Sequence, residues 1–237
     1  MRRAHLLFAA LAALTGSAYA LESPIALTAP APLAAGVDAF PKLSAHDAIA
    51  GKINAALVKL DQRVRKARAE CFTSKDADWS RSISVTLRGP RFLSYLVADS
   101  MSCGGPHPDA SIFALVYDLK NGAPVDWAAL LPKSLVERTS LATAADGAAI
   151  GVVASKTLTS LYVAGLGKDT DPDCKQALSE TDLDFVVWPD AEAKGLDIQT
   201  VSLPHVVQAC ADVVTIGVEK LRELGVAPSL IEALGAK

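Results

Sequence analysis

The chain reads as an α+β protein, and three observations carry that reading. One long amphipathic stripe stands near the N-terminus, a block of period-two segments joined by tight turns follows it, and a second block of short strand-like runs precedes two short helices. Helical and strand patterns come in groups and do not alternate one for one, so antiparallel sheets packed with helices fit better than a parallel β-α-β array. No fixed-period repeat runs through the 237 residues.

Arg2 and Arg3 precede an apolar run over residues 6–14, and Ala18-Tyr19-Ala20 places small residues where a signal peptidase reads. That order predicts a secretory signal peptide over residues 1–20. The run is too short for a membrane span, which needs about 20 apolar residues, and no later segment supplies one. Residues 21–43 hold Pro24, Pro30, Pro32 and Pro41 and read as an extended, proline-rich leader. The expected product works in a periplasmic or secreted setting without a transmembrane anchor. Its charge is acidic, −3 for the whole chain at pH 7. No basic patch of nucleic-acid type is present.

Ser44 reads as an N-cap for a helix carrying Ile49, Ile53, Leu57, Leu60 and Val64 at spacings of three and four, ending near Cys71. Ile83, Val85 and Leu87 then alternate with polar residues, Gly89-Pro90 marks a turn, residues 92–101 form a second strand and residues 112–119 a third. Asn121-Gly122 is a strong hairpin signal. Residues 44–132 thus read as a helix plus antiparallel meander. In residues 133–237 the expected elements are a helix over about 150–164, strands at 183–188, 196–203 and 213–218, and helices at 219–224 and 229–234.

Four cysteines, at 71, 103, 174 and 210, suit two disulfides in an exported chain. Three connectivities are open. Cys71–Cys103 with Cys174–Cys210 is preferred, each closing a loop worth on the order of 3–4 kcal/mol on the chain-entropy model. None has C-x-x-C spacing, so neither a redox motif nor a zinc knuckle is indicated.

Residues 92–131 read F-L-S-Y-L, then C-G-G-P-H-P, then V-Y-D-L-K-N-G-A-P-V and W-A-A-L-L. This stretch resembles the two-part extracytoplasmic domain of the lysozyme-sensing anti-sigma factor, a domain of largely unknown function also found beside peptidoglycan deacetylase domains. In that family a G-G-A-H turn leads to a Y-D-L-x-x-G hairpin. Its second half matches at Phe185 to Val187, Gly195-Leu196, and Val214 to Ile216. The chain departs at Pro106, where the family often has alanine, and in carrying Cys103 and Cys210. The resemblance implies an α+β fold in two related parts. It also implies binding of an envelope protein or a peptidoglycan fragment, with no bond-making.

Two clusters are chemically suggestive. In Gly104-Gly105-Pro106-His107-Pro108-Asp109, a stiff loop could hold an imidazole beside a carboxylate, so these positions form a candidate ligand-binding face. His107 and Asp109 are also the catalytic candidates if the chain were a small cell-wall hydrolase. Asp169, Asp171, Asp173 and Glu180 fall at positions one, three, five and twelve of a calcium-type loop, which raises a calcium-stabilised structural protein as a further alternative. Cys174 stands where that loop needs glycine, and Pro172 stiffens it. Standard hydrolase and nucleotide motifs are missing. Trp79, Trp127 and Trp188 could stack on sugars but suit core packing. The leading expectation is an exported, non-catalytic envelope module with no cofactor.

Overall fold

The computed structural model describes residues 25–73, 75–105, 108–201 and 203–235. The expected signal peptide and His107 therefore lie outside the described residues. The fold is α+β, with three antiparallel sheets and six α-helices among the described residues.

The leader is more than a tether. Strands β1 (Leu27–Thr28) and β2 (Lys42–Leu43) pair with each other, and Val37 and Phe40 between them are fully buried. Helix α1 (Ala48–Cys71) holds them in place. Asn54 brackets the Leu43 backbone, accepting from its N–H and donating to its C=O at 2.9 Å each. Asp61, buried on the apolar face of α1, accepts from the Phe40 N–H at 3.1 Å and from Lys42 Nζ at 2.7 Å. The composition predicted an extended segment, and two polar residues on the helix face supply the partners that an extended backbone needs to be buried. The helix cap also differs from the expectation. Asp47, not Ser44, caps α1, its carboxylate accepting from the Ala50 N–H at 2.8 Å.

The meander follows as expected. Strands β3 (Asp78–Arg88), β4 (Phe92–Ser102), β5 (Asp109–Asp118) and β6 (Ala123–Pro124) form a sheet in sequence order, with an irregularity between Val85 and Leu87. The β5–β6 turn uses Gly122 at φ 64°, a conformation that favours glycine. Helix α2 (Trp127–Leu130), capped by Asp126, ends this part.

The second sheet runs β11-β10-β9-β8-β7, from β7 (Arg138–Thr143), β8 (Ala149–Ala154), β9 (Asp184–Asp190), β10 (Gly195–Val201) and β11 (Val214–Gly217). Here the helix expected over about 150–164 is corrected. Residues 149–154 form a strand, and α3 (Lys156–Gly165) begins only after Ser155, whose extended backbone and side chain cap the Leu158 N–H at 2.9 Å. Ile150, Val152 and Val153 lose rotamer freedom in a helix and suit a strand. Gly165 permits α3 to touch the sheet, since a Cβ there would sit 2.3 Å from Val214 Cγ1. Helices α4 (Pro172–Glu180), α5 (Val218–Glu223) and α6 (Pro228–Gly235), with a 3-10 turn at His205–Cys210, complete the chain.

The two sheets share one core. Strand β9 runs against β3, β4 and β5, and the Ala191 N–H donates to the Thr86 carbonyl at 2.9 Å. Phe92, Phe113, Phe185 and Trp188 belong to a single buried apolar cluster drawn from both halves. Tyr162 meets Phe185 edge-on at 5.2 Å, and Tyr95 meets Phe40 likewise at 5.5 Å. Burial pushes the Tyr162 and Tyr117 hydroxyls up to about 12.

A charged cluster sits inside this interior. Arg81 on β3 forks onto Asp99 of the neighbouring strand, with Nε and Nη2 each 2.8 Å from a carboxylate oxygen, and Trp79 Nε1 donates to the same carboxylate at 2.9 Å. The third member arrives from the other half. Asp146, at the tip of the β7–β8 hairpin, places its carboxylate 3.6 Å from Arg81 Nη2. All three charged side chains are fully buried. Arg63 of α1 donates to the Gly147 carbonyl in the same tip at 3.3 Å. Arg81 alone balances two carboxylates here. Arg81→Leu is therefore expected to cost about 3–5 kcal/mol in chemical denaturation, the usual cost of orphaning a buried partner. The double variant Arg81→Leu/Asp99→Leu should lose less than the single one.

Both preferred disulfides are present. Cys71–Cys103 joins the end of α1 to the end of β4, and Cys174–Cys210 joins α4 to the 3-10 turn, with Cα separations of 4.7 and 5.4 Å. Replacing either pair by serine should lower unfolding free energy by about 3–4 kcal/mol, read from urea unfolding with midpoint and slope both fitted, since the uncrosslinked denatured chain is less compact.

Candidate functional site

Where the two sheets diverge, a cleft of about 580 Å³ opens. This volume lies within the range of small-ligand sites. Five segments wall it. The end of β4 contributes Ala98, Asp99 and Met101, and the start of β5 contributes Asp109 to Ile112. The β7–β8 hairpin tip, the end of β10 and the 3-10 turn supply the rest, including Gln199, Thr200 and Gln208.

The disulfides stand at its rims. Cys103 ends β4 just before Gly104, which turns at φ 84°, and Asp109 begins the strand that returns. Cys210 closes the 3-10 turn that contributes Gln208. Two walls are thus pinned covalently near helices, one to α1 and one to α4.

Residues that border the cleft also hold buried polar atoms. Ser111 Oγ, Gln199 Oε1 and Thr200 Oγ1 have no hydrogen-bond partner and are closed to solvent, and Thr200 is only 2% exposed. Gln199 donates its amide to the Ala211 carbonyl at 3.0 Å. An unsatisfied buried polar group costs about 1–3 kcal/mol, and native proteins keep few.

The sequence-derived candidates divide. Asp109 lines the cleft mouth, exposed, with its Oδ1 accepting from the Ala110 N–H at 2.9 Å. Gly104 and Gly105 are exposed in the adjoining turn. The pairing of His107 with Asp109 falls outside the described residues. The acidic stretch folds differently from the loop its spacing suggests. Asp171 caps α4 by accepting from the Asp173 N–H at 2.8 Å, and Glu180 ends that helix, accepting from Gln176 at 3.0 Å. A helix between positions five and twelve spans roughly 10 Å, so it separates the carboxylates that a wrapping loop would gather. Among the described residues no three His, Cys, Asp or Glu side chains come together as a metal site. Trp79 and Trp188 are core residues, and Trp127 lines a separate groove of about 290 Å³ beside β7.

Sequence reading missed Ser111, Gln199 and Thr200. Each is an ordinary strand residue by pattern, and only the meeting of two sheets makes it a wall. Period two on β10 does place Asp197 and Gln199 on one face.

No family model matches the chain, and no curated protein matches it. Among solved structures the fold is similar to a DUF3298 family member from Bacteroides fragilis. That likeness has a TM-score of 0.52 at 14% identity and covers 84% of this chain and 86% of that one. It bears on fold alone. Two disulfides fit an extracellular protein, and no helix among the described residues is long and apolar enough to cross a membrane.

Beside the cleft wall, burial pushes the Asp197 carboxyl up. The 2.6 Å hydrogen bond from Thr215 Oγ1 opposes the rise, and Asp190 adds to it. A carboxyl raised in the folded state is one whose ionisation works against folding. Its contribution favours the fold at low pH and fades as pH climbs from the unfolded value near 4 through the raised folded one. Asp197→Asn is thus expected to raise the melting temperature at pH 7, with the gain gone by about pH 4 in a pH series of thermal melts.

Proposed function

We infer that this chain is an exported, non-catalytic recognition module of the cell envelope, which takes a protein or glycan ligand in the cleft between its two sheets. The observation that carries the reading is the cleft itself, walled by segments of both sheets. Its disulfide-pinned rims suit a preformed site, because a rigid wall loses little entropy on binding. Resemblance to the anti-sigma factor's extracytoplasmic domain supports the same class of function, and Asp109 of the quoted turn-and-hairpin stretch lies at the cleft. Export supports it too, since both cystines need an oxidising compartment.

The test is retention of the oxidised protein on peptidoglycan, on lysozyme and on periplasmic extract, with Ala110→Trp as the blocked form. Ala110 is exposed at the cleft mouth, so an indole there obstructs entry without entering the core. Retention by the native chain and its loss in Ala110→Trp, with unchanged circular dichroism, is the expected result. Equal retention by both forms would remove the cleft from the function.

A further inference from the structure

We propose that the open edge of strand β7 pairs with β7 of a second copy of this chain, antiparallel about Leu141, so that two five-stranded sheets become one. The interface stands whether or not the cleft is the recognition site.

The sheet edges are treated unequally. The outer edge of β3 is met by other segments: the Arg81 N–H donates to the Gly36 carbonyl at 2.9 Å, the Asp38 N–H to the Arg81 carbonyl at 3.1 Å, and the Ala191 N–H to the Thr86 carbonyl at 2.9 Å. Edge strand β6 is two residues long and holds Pro124, and β11 is four residues long and runs directly into α5. Short strands, proline and covering segments are the usual guards of an edge. Among the described residues β7 has none of these. It is six residues long, and its only charge, Arg138, stands at one end. Leu141 near its middle is 74% exposed, more than any other large hydrophobic side chain among the described residues.

The hairpin fixes which backbone groups point outward. The Ala144 N–H donates to the Ala148 carbonyl at 2.8 Å, so Ala144 faces β8, and by antiparallel alternation Ala142 and Ser140 do too. The N–H and C=O groups of Thr139, Leu141 and Thr143 therefore point away from the sheet, and all three residues are exposed. The Glu137 N–H turns back onto the Ala154 carbonyl at 3.1 Å, so the open stretch begins at Thr139.

This stretch is its own complement. Thr139-Ser140-Leu141-Ala142-Thr143 reads as the same pattern of side-chain types in either direction, as pairing about a two-fold axis requires. Centred on Leu141, the pairing sets leucine on leucine, Thr139 on Thr143 of the second copy, and small Ser140 on small Ala142. Only this register engages the outward backbone groups of all three residues; a shift by two positions leaves one of them unpaired. The two Arg138 side chains then lie at opposite ends, roughly 20 Å apart, so like charges do not meet. A groove of about 290 Å³, lined by Thr139, Ser140 and Leu141 together with Trp127, leaves room beside the edge for the incoming side chains.

The test is sedimentation of the oxidised chain over a concentration series. The native chain should dimerise. Leu141→Lys sets two like charges against each other at the axis, and it should raise the dimer dissociation constant by roughly tenfold or more at unchanged circular dichroism, because the side chain is exposed. Facing residues of a bonded antiparallel pair have Cα atoms about 5.5 Å apart, within disulfide reach. Leu141→Cys should therefore give a covalent dimer, mapped by mass spectrometry to the two 141 positions, whereas Ser140→Cys should not. A native chain that stays monomeric up to roughly millimolar concentration, a dimer indifferent to Leu141→Lys, or the lack of a link between the two 141 positions overturns the proposal. If Leu141→Lys fails to fold, the Leu141→Cys link decides alone. A monomer whose retention on periplasmic extract is lost in Leu141→Lys also overturns it, and gives the edge to an extended segment of another protein. Ala110→Trp should dimerise like the native chain, so the cleft and the interface fail separately.

Discussion

The buried Arg81 guanidinium is the constraint on which the arrangement of the two halves depends. It ties β3 to β4 through Asp99 and receives Asp146 from a hairpin that belongs to the other sheet. Burying charge is costly, and an ion cluster in an interior is weak grounds for stability by itself. Its value here is specific position. An apolar hairpin tip could settle on the first sheet in several ways, but a carboxylate in a dry interior must find a cation, and Asp146 finds Arg81. Arg63 donating to the Gly147 carbonyl fixes the same tip from α1.

The cleft follows from that placement. With the hairpin tip anchored beside Asp99, Ala144 and Ala145 line the cleft together with the ends of β4 and β10. The disulfides then act on the two loops nearest the opening. Each joins a rim to a helix, so the opening is braced from both sides of the shared core.

The elements whose patterns are local were legible in the residues. The α1 stripe, the β3–β5 alternation and the Asn121-Gly122 turn each depend on neighbours within a few positions, and the cystine pairing follows from short loops between cysteines. Errors came where long-range partners overrode local composition. Alanine-rich residues near 150 suggested helix, but a strand neighbour and the Ser155 cap decide for β8. The acidic spacing of a calcium loop is equally the spacing of a capped helix, and Asp171 chooses the latter.

By itself the sequence determined the class of fold, and it carried the expectation of export and of two disulfides with one preferred pairing, because hydrophobic period, turn chemistry and cysteine spacing are written along the chain. Tertiary structure alone decided the site. Ser111 is far in sequence from the adjacent Gln199 and Thr200, none of them carries a motif, and they border one cleft only because strands of the two sheets meet there. Unpaired polarity is a property of what surrounds an atom, and those surroundings come from segments roughly 90 residues apart that no local pattern links.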